Sequence, residues 1–137
     1  IMEDDIKLVD NFNEIFNSYI KNIPYDWDIF YFSINHSLEY GYPTRIDDGY
    51  ELKNKNDKTP GIFKVKRGLT TGMYAVNRKI IKKILDELDD KKYEIDLIYA
   101  DIQKECNCYC IRPHLATQKP GFSFIDNKYM DNTIYLE

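Results

Sequence analysis

The stretch Trp27–Asn35, WDIFYFSIN, decides the fold class. It is short, aromatic and β-branched, and it reads as a buried strand. Upstream, Phe12, Ile15, Phe16, Tyr19 and Ile20 recur at the spacing of an amphipathic helix. Asp10 is its expected N-cap and Pro24 its stop. Downstream, residues 36–61 hold Gly41, Pro43, Gly49, Pro60 and the polar run Lys53–Lys58, with no period. They predict a long loop with room for a short hairpin, mobile and lying over or beside a site. Ile62–Val76 reads as extended, with a turn at Arg67-Gly68. Asn77 then caps a helix whose apolar face is Ile80, Ile81, Ile84, Leu85 and Leu88. Glu94–Glu105 predicts a third helix through Ile95, Ile98 and Ile102. Cys108–Arg112 reads as a strand closed by Pro113, and the tail from Thr117 as irregular, with a turn at Pro120-Gly121. With Ile1-Met2 as the end of a first strand, the order predicts an α/β or α+β domain over residues 1–137, helices packed on a small mixed sheet.

A chain of 137 residues with 43% hydrophobic and 31% charged residues supports its own core, which excludes a disordered or fibrous protein. No apolar run approaches the ~20 residues of a membrane span. A net charge of −4 argues against a partner bound by phosphate neutralisation, so no nucleic acid is expected. Three cysteines cannot all pair within the chain, which predicts a reducing, cytoplasmic setting. The 18 Ile against 9 Leu, 15 Lys against 4 Arg, 12 Tyr and 11 Asn point to an A/T-rich coding genome, bacterial, protist or viral. A viral origin would place the protein in host cytoplasm or the virion.

The strongest chemical cluster is Glu3-Asp4-Asp5, expected at the carboxyl end of a strand, where open α/β sheets hold ligands. Strand alternation puts Glu3 and Asp5 on one side and Asp4 on the other. Two hard oxygen donors suit Mg²⁺ or Mn²⁺. The same triplet also reads as a solvated acidic turn. Cys106, Cys108 and Cys110 alternate and, with His114, raise a zinc reading, but structural zinc ligands are usually spaced C-x₂₋₄-C. Free, partly buried thiols are the expectation. Tyr40, Tyr42 and Tyr50 in the long loop read as core packing or as a sugar-stacking wall.

Five segments, in order, carry a family likeness: Glu3-Asp4-Asp5, Trp27-Asp28-Ile29, Thr71–Lys79 (TGMYAVNRK), Ile95-Asp96 and Pro113–Gln118 (PHLATQ). Together they resemble glycosyltransferase family 25, the lipooligosaccharide and collagen galactosyltransferases, over the second half of that family's domain. The resemblance implies a GT-A-like fold and inverting transfer of a sugar, galactose or glucose, from a UDP-sugar donor to a glycan or protein acceptor, as in lipopolysaccharide biosynthesis or collagen glycosylation. It makes Asp5 the ligand of Mn²⁺ or Mg²⁺, and Glu3 or Asp4 the contact to ribose or donor sugar. Thr71, Gly72 and Gln118 become substrate-binding residues, and Asp96 the base on the acceptor hydroxyl. Read from the residues alone, Asp96 is equally an acid favoured by a helix N-terminus. The family's N-terminal nucleotide-binding half has no counterpart here, so a missing N-terminal half or a partner chain is expected to complete the site. The alternative is a non-catalytic remnant serving as a carbohydrate or protein interaction module. A metal-dependent nuclease lacks a basic groove and a clear catalytic lysine.

Overall fold

The computed structural model describes residues 1–54, 56–90, 93–123 and 127–131. Strand β2, Ile29–His36, lies inside a mixed sheet of order β3-β4-β6-β2-β5. Its partners are β3 (Thr44–Arg45), β4 (Gly61–Lys64), β5 (Gly68–Val76) and β6 (Cys108–Arg112). β6 runs parallel to β2, pairing Tyr31 with Cys110, and β5 runs antiparallel, pairing Tyr31 with Tyr74. Both faces of β2 are covered, which is why its sequence is continuously apolar rather than alternating.

On one face, Ile29, Tyr31, Phe63, Tyr74, Cys108 and Cys110 pack against α2 (Ile81–Asp90) and α3 (Ile95–Ile102). On the other, Phe30, Phe32, Ile62, Tyr109 and Ile111 meet α1 (Phe12–Tyr19). Phe12 and Phe16 of α1 place their rings 5.7 and 5.4 Å from Phe32. A two-stranded ribbon of β1 (Ile6–Leu8) and β7 (Ala116–Gln118) joins that second face through Ile6 and Ala116. β8 (Gly121–Ser123) and β9 (Lys128–Met130) pair antiparallel as a separate two-stranded sheet. Among the described residues no helix is long and apolar enough to cross a membrane.

Several expectations are corrected. The acidic triplet precedes the first regular strand instead of ending it. Asn11, not Asp10, is the cap position of α1, because the Phe12 amide donates to the Val9 carbonyl and turns the chain one residue later. The Asn77 side chain does accept from the Lys79 amide, starting a short 3₁₀ turn before α2. Ile80 and Ile84 of the expected apolar face are buried and Leu88 packs against them, whereas Ile81 and Leu85 are exposed. A single i, i+4 strip is all that the sheet and α3 cover. The tail read as irregular forms β7, β8 and β9, and its residues 124–126 and 132–137 lie outside the described residues.

The long loop contains the expected small hairpin, through a Thr44–Glu51 bridge, and is folded onto the sheet. Leu52 and Pro43 are buried, and Tyr42 and Tyr50 pack against the α2/α3 core. The Asp57 carboxylate accepts from the Lys53 amide, the Thr59 amide and hydroxyl, and the Tyr50 hydroxyl, which holds it well below the usual carboxylate range. Tyr40 stays exposed, beneath the Arg67 guanidinium at 4.3 Å.

Candidate functional site

Residues 1–3 form a short ladder along the outer edge of β5. The Ile1 amino group donates to the Tyr74 carbonyl at 2.9 Å, Met2 bridges Met73, and the Glu3 amide donates to the Gly72 carbonyl at 2.9 Å. The chain then turns at Asp4-Asp5 and enters β1, where Ile6 pairs with Gln118. The triplet is therefore the hinge between two ladders, and strand alternation does not govern it. Asp4 is exposed and Asp5 is half-buried.

Two side-chain bonds close the hinge. Thr71 Oγ1 donates to Glu3 Oε1 at 3.0 Å across 68 positions of sequence. Gln118 Nε2 donates to Asp5 Oδ2 at 2.7 Å across 113 positions. The Lys119 amide also donates to the Asp5 carbonyl at 2.8 Å. Asp5 Oδ1 is closed off from solvent and has no hydrogen-bond partner among the described residues. An unpaired carboxylate oxygen in that position is costly unless something completes it.

The backbone here is irregular. The β2–β5 register shifts between Tyr31 and Ser33 and again between Ser33 and Asn35. Thr70 adopts φ +75°, a conformation that costs a β-branched residue on the order of 1–3 kcal/mol. Bulges of this kind gather beside functional sites. Gly72 has a packing reason: a Cβ there would lie 2.8 Å from Ile6 Cδ1 and 3.5 Å from Ser33 Oγ. The close approach that glycine permits is made by Ile6 of the same chain.

Five of the predicted residues, Glu3, Asp5, Thr71, Gly72 and Gln118, thus meet around one edge of β5. Asp96 sits elsewhere, half-buried in the first turn of α3. That helix packs over the inner face of β5, where the Tyr74 hydroxyl donates to that of Tyr99 at 3.2 Å. Asp5 and Asp96 therefore flank the same strand from different sides. Two shallow depressions, one around Lys83, Asp101 and Glu105 and one around Tyr40, Lys64, Gln103 and Asn107, include none of the predicted residues.

Among the described residues no group of three or more His, Cys, Asp and Glu side chains forms a ligand set. An octahedral Mg²⁺-type ion needs none, since one or two carboxylates plus substrate phosphates and waters suffice. The hard Oδ1 of Asp5 is the right kind of donor for that role but is closed off from solvent, so an ion with its waters and phosphates reaches it only with the Asp4-Asp5 turn opened. The three thiols are free, and burial pushes those of Cys108 and Cys110 upward, the latter to about 12. Sequence reasoning missed Ile6 and Ser33, which carry no chemical signal. It also left His36 and Arg112 without a role, although each is a polar residue ending an apolar strand. Comparison with protein-family models, with curated proteins and with solved structures gives no match.

Proposed function

We propose that this chain carries the metal-side half of an inverting, UDP-sugar-dependent glycosyltransferase site on a GT-A-like sheet. The observation that carries the reading is the meeting of residues 3–5, 71–72 and 118, far apart in sequence, around a carboxylate with one tied and one unpaired, solvent-shielded oxygen. They belong to three of the five segments that resemble family 25.

In this reading Asp5 would hold Mn²⁺ or Mg²⁺. When bound, the ion offsets charge that develops on the leaving nucleoside diphosphate. Gln118 fixes the Asp5 carboxylate through its other oxygen, so it cannot rotate away. Thr71 does the same for Glu3, which presents its second oxygen to a ribose or sugar hydroxyl. Exposed Asp4 stands beside them at the donor. The resemblance assigns the acceptor-side base to Asp96, which α3 sets on the other side of β5 from Asp5, so the acceptor, a glycan or protein group, would have to meet both across that strand. In this reading the setting is cytoplasmic.

The test is the melting temperature of the chain with UDP and Mn²⁺. Ligand at 100 times its Kd stabilises by about 2.7 kcal/mol, a shift of several degrees in a domain of this size. A shift with Mn²⁺ present and none with EDTA supports the reading. No shift with either removes it.

The alternative, a non-catalytic carbohydrate or protein interaction module, draws on Ile6 filling the space over Gly72 and on the placement of Asp96 apart from the cluster. It predicts oligosaccharide binding that is indifferent to UDP and metal.

A further inference from the structure

The parallel strands β2 and β6 end in His36 and Arg112, at the carboxyl ends where open α/β sheets receive ligands. These residues lie on the α2/α3 face, away from Ile6, because His36 Nε2 is 3.7 Å from Cys110 Sγ and Cys110 belongs to that core. The loop 41–60 roofs them: Arg112 Nη2 donates to the Asp57 carbonyl at 2.6 Å.

Arg112 is 4% exposed, and its hydrogen bond runs to a backbone carbonyl instead of a carboxylate. The nearby Asp57 carboxylate already accepts from four donors of its own loop. Arg112 Nε and His36 Nδ1 are both shut off from solvent, with no hydrogen-bond partner among the described residues. The Cys110 thiol lies 3.7 Å from His36 Nε2, and with the thiol as donor the imidazole proton sits on Nδ1. Two unpartnered nitrogens, the Arg112 Nε–H donor and His36 Nδ1, therefore share one site with a buried positive charge, and His114, 9% exposed, lies beside them. The Asp57 charge acts on Arg112 from its loop, but a buried guanidinium with no carboxylate hydrogen-bonded to it is disfavoured on its own. Its planar N–H edge matches a carboxylate or phosphate.

We propose that Arg112 and His36 form a binding site for a compact oxyanion, a phosphoryl or carboxylate group, beneath the 41–60 loop and separate from the Asp5 hinge. The reading stands on these residues alone, whatever the fate of the glycosyltransferase assignment.

The test titrates the intact chain at pH 7 with inorganic phosphate and, in parallel, acetate, at ionic strength held constant with NaCl. The ring signals of His36 and His114 are followed by NMR. A saturable shift is expected with at least one anion, its midpoint moved tenfold or more upward in Arg112→Gln. Tighter phosphate assigns a phosphoryl ligand, and tighter acetate a carboxylate. Should Arg112→Gln fail to fold by circular dichroism, His36→Gln is titrated by calorimetry, with the same tenfold loss expected. Shifts that never saturate, or a midpoint unchanged in the folded variant, overturn the site.

Discussion

The Gln118 side-chain amide holds Asp5 Oδ2 at 2.7 Å and leaves Oδ1 of the same carboxylate buried and unpaired. That asymmetry follows from topology. Ile6 pairs with Gln118 in the β1–β7 ribbon, which sets the amide beside the residue before Ile6. The same ribbon lays Ile6 over Gly72 and so ties the hinge to the bulged edge of β5.

The Ile6–Gly72 contact is testable by stability. Gly72→Ala forces a Cβ to 2.8 Å from Ile6 Cδ1, and overpacking of that kind costs about 1–3 kcal/mol. Ile6→Val removes that carbon and costs about 0.5–1.5 kcal/mol alone. The double variant should be more stable than the sum of the two losses by at least 0.5 kcal/mol, on the order of coupling between touching residues. Strict additivity in urea unfolding would show that the contact does not limit residue 72.

Much of this was legible in the chain and some was not. WDIFYFSIN announced a strand buried on both faces, and the Phe12–Ile20 period announced the helix that covers one of them. The acidic triplet was legible as chemistry but not as geometry. An Ile1-Met2 strand end and a turn between two ladders have the same composition, and only pairing with β5 and β7 separates them. The tail defeated local reading because β7 is three residues long and is ordered by β1, more than a hundred positions away. Thr71 and Gln118 were named through family likeness. Their bonds to Glu3 and Asp5 are tertiary facts with no local signal.

His36 supplies a pH prediction. Burial first, then the His114 and Arg112 charges, lower its pKa to about 3. An unfolded histidine titrates near ~6.5. Between those values the unfolded chain binds the extra proton, so stability falls as pH drops through that window. The slope from one proton is at most about 1.4 kcal/mol per pH unit. Asp57 and Asp48, held low in the folded chain, add their own loss only below about pH 4. His36→Gln should flatten the stability profile between pH 4.5 and 6.5 in denaturant titrations. A variant profile as steep as the parent's would show that His36 is not the group responsible.

For Asp96, the substitution to Asn keeps shape and removes basicity. As the acceptor-side base its loss should lower sugar transfer by roughly 10² to 10⁴ with donor binding near normal. If turnover is unchanged and stability falls by only about 0.3–1 kcal/mol, Asp96 is a helix-start acid and nothing more.

The most direct measurement is calorimetric titration of UDP into the chain with Mn²⁺, comparing the parent with Asp5→Ala. The account predicts a Mn²⁺-dependent Kd in the parent, loss of at least tenfold in affinity in Asp5→Ala, and a melting temperature for the unliganded variant close to the parent's. Equal UDP affinity in the two proteins, or affinity in the parent that ignores Mn²⁺, would contradict it.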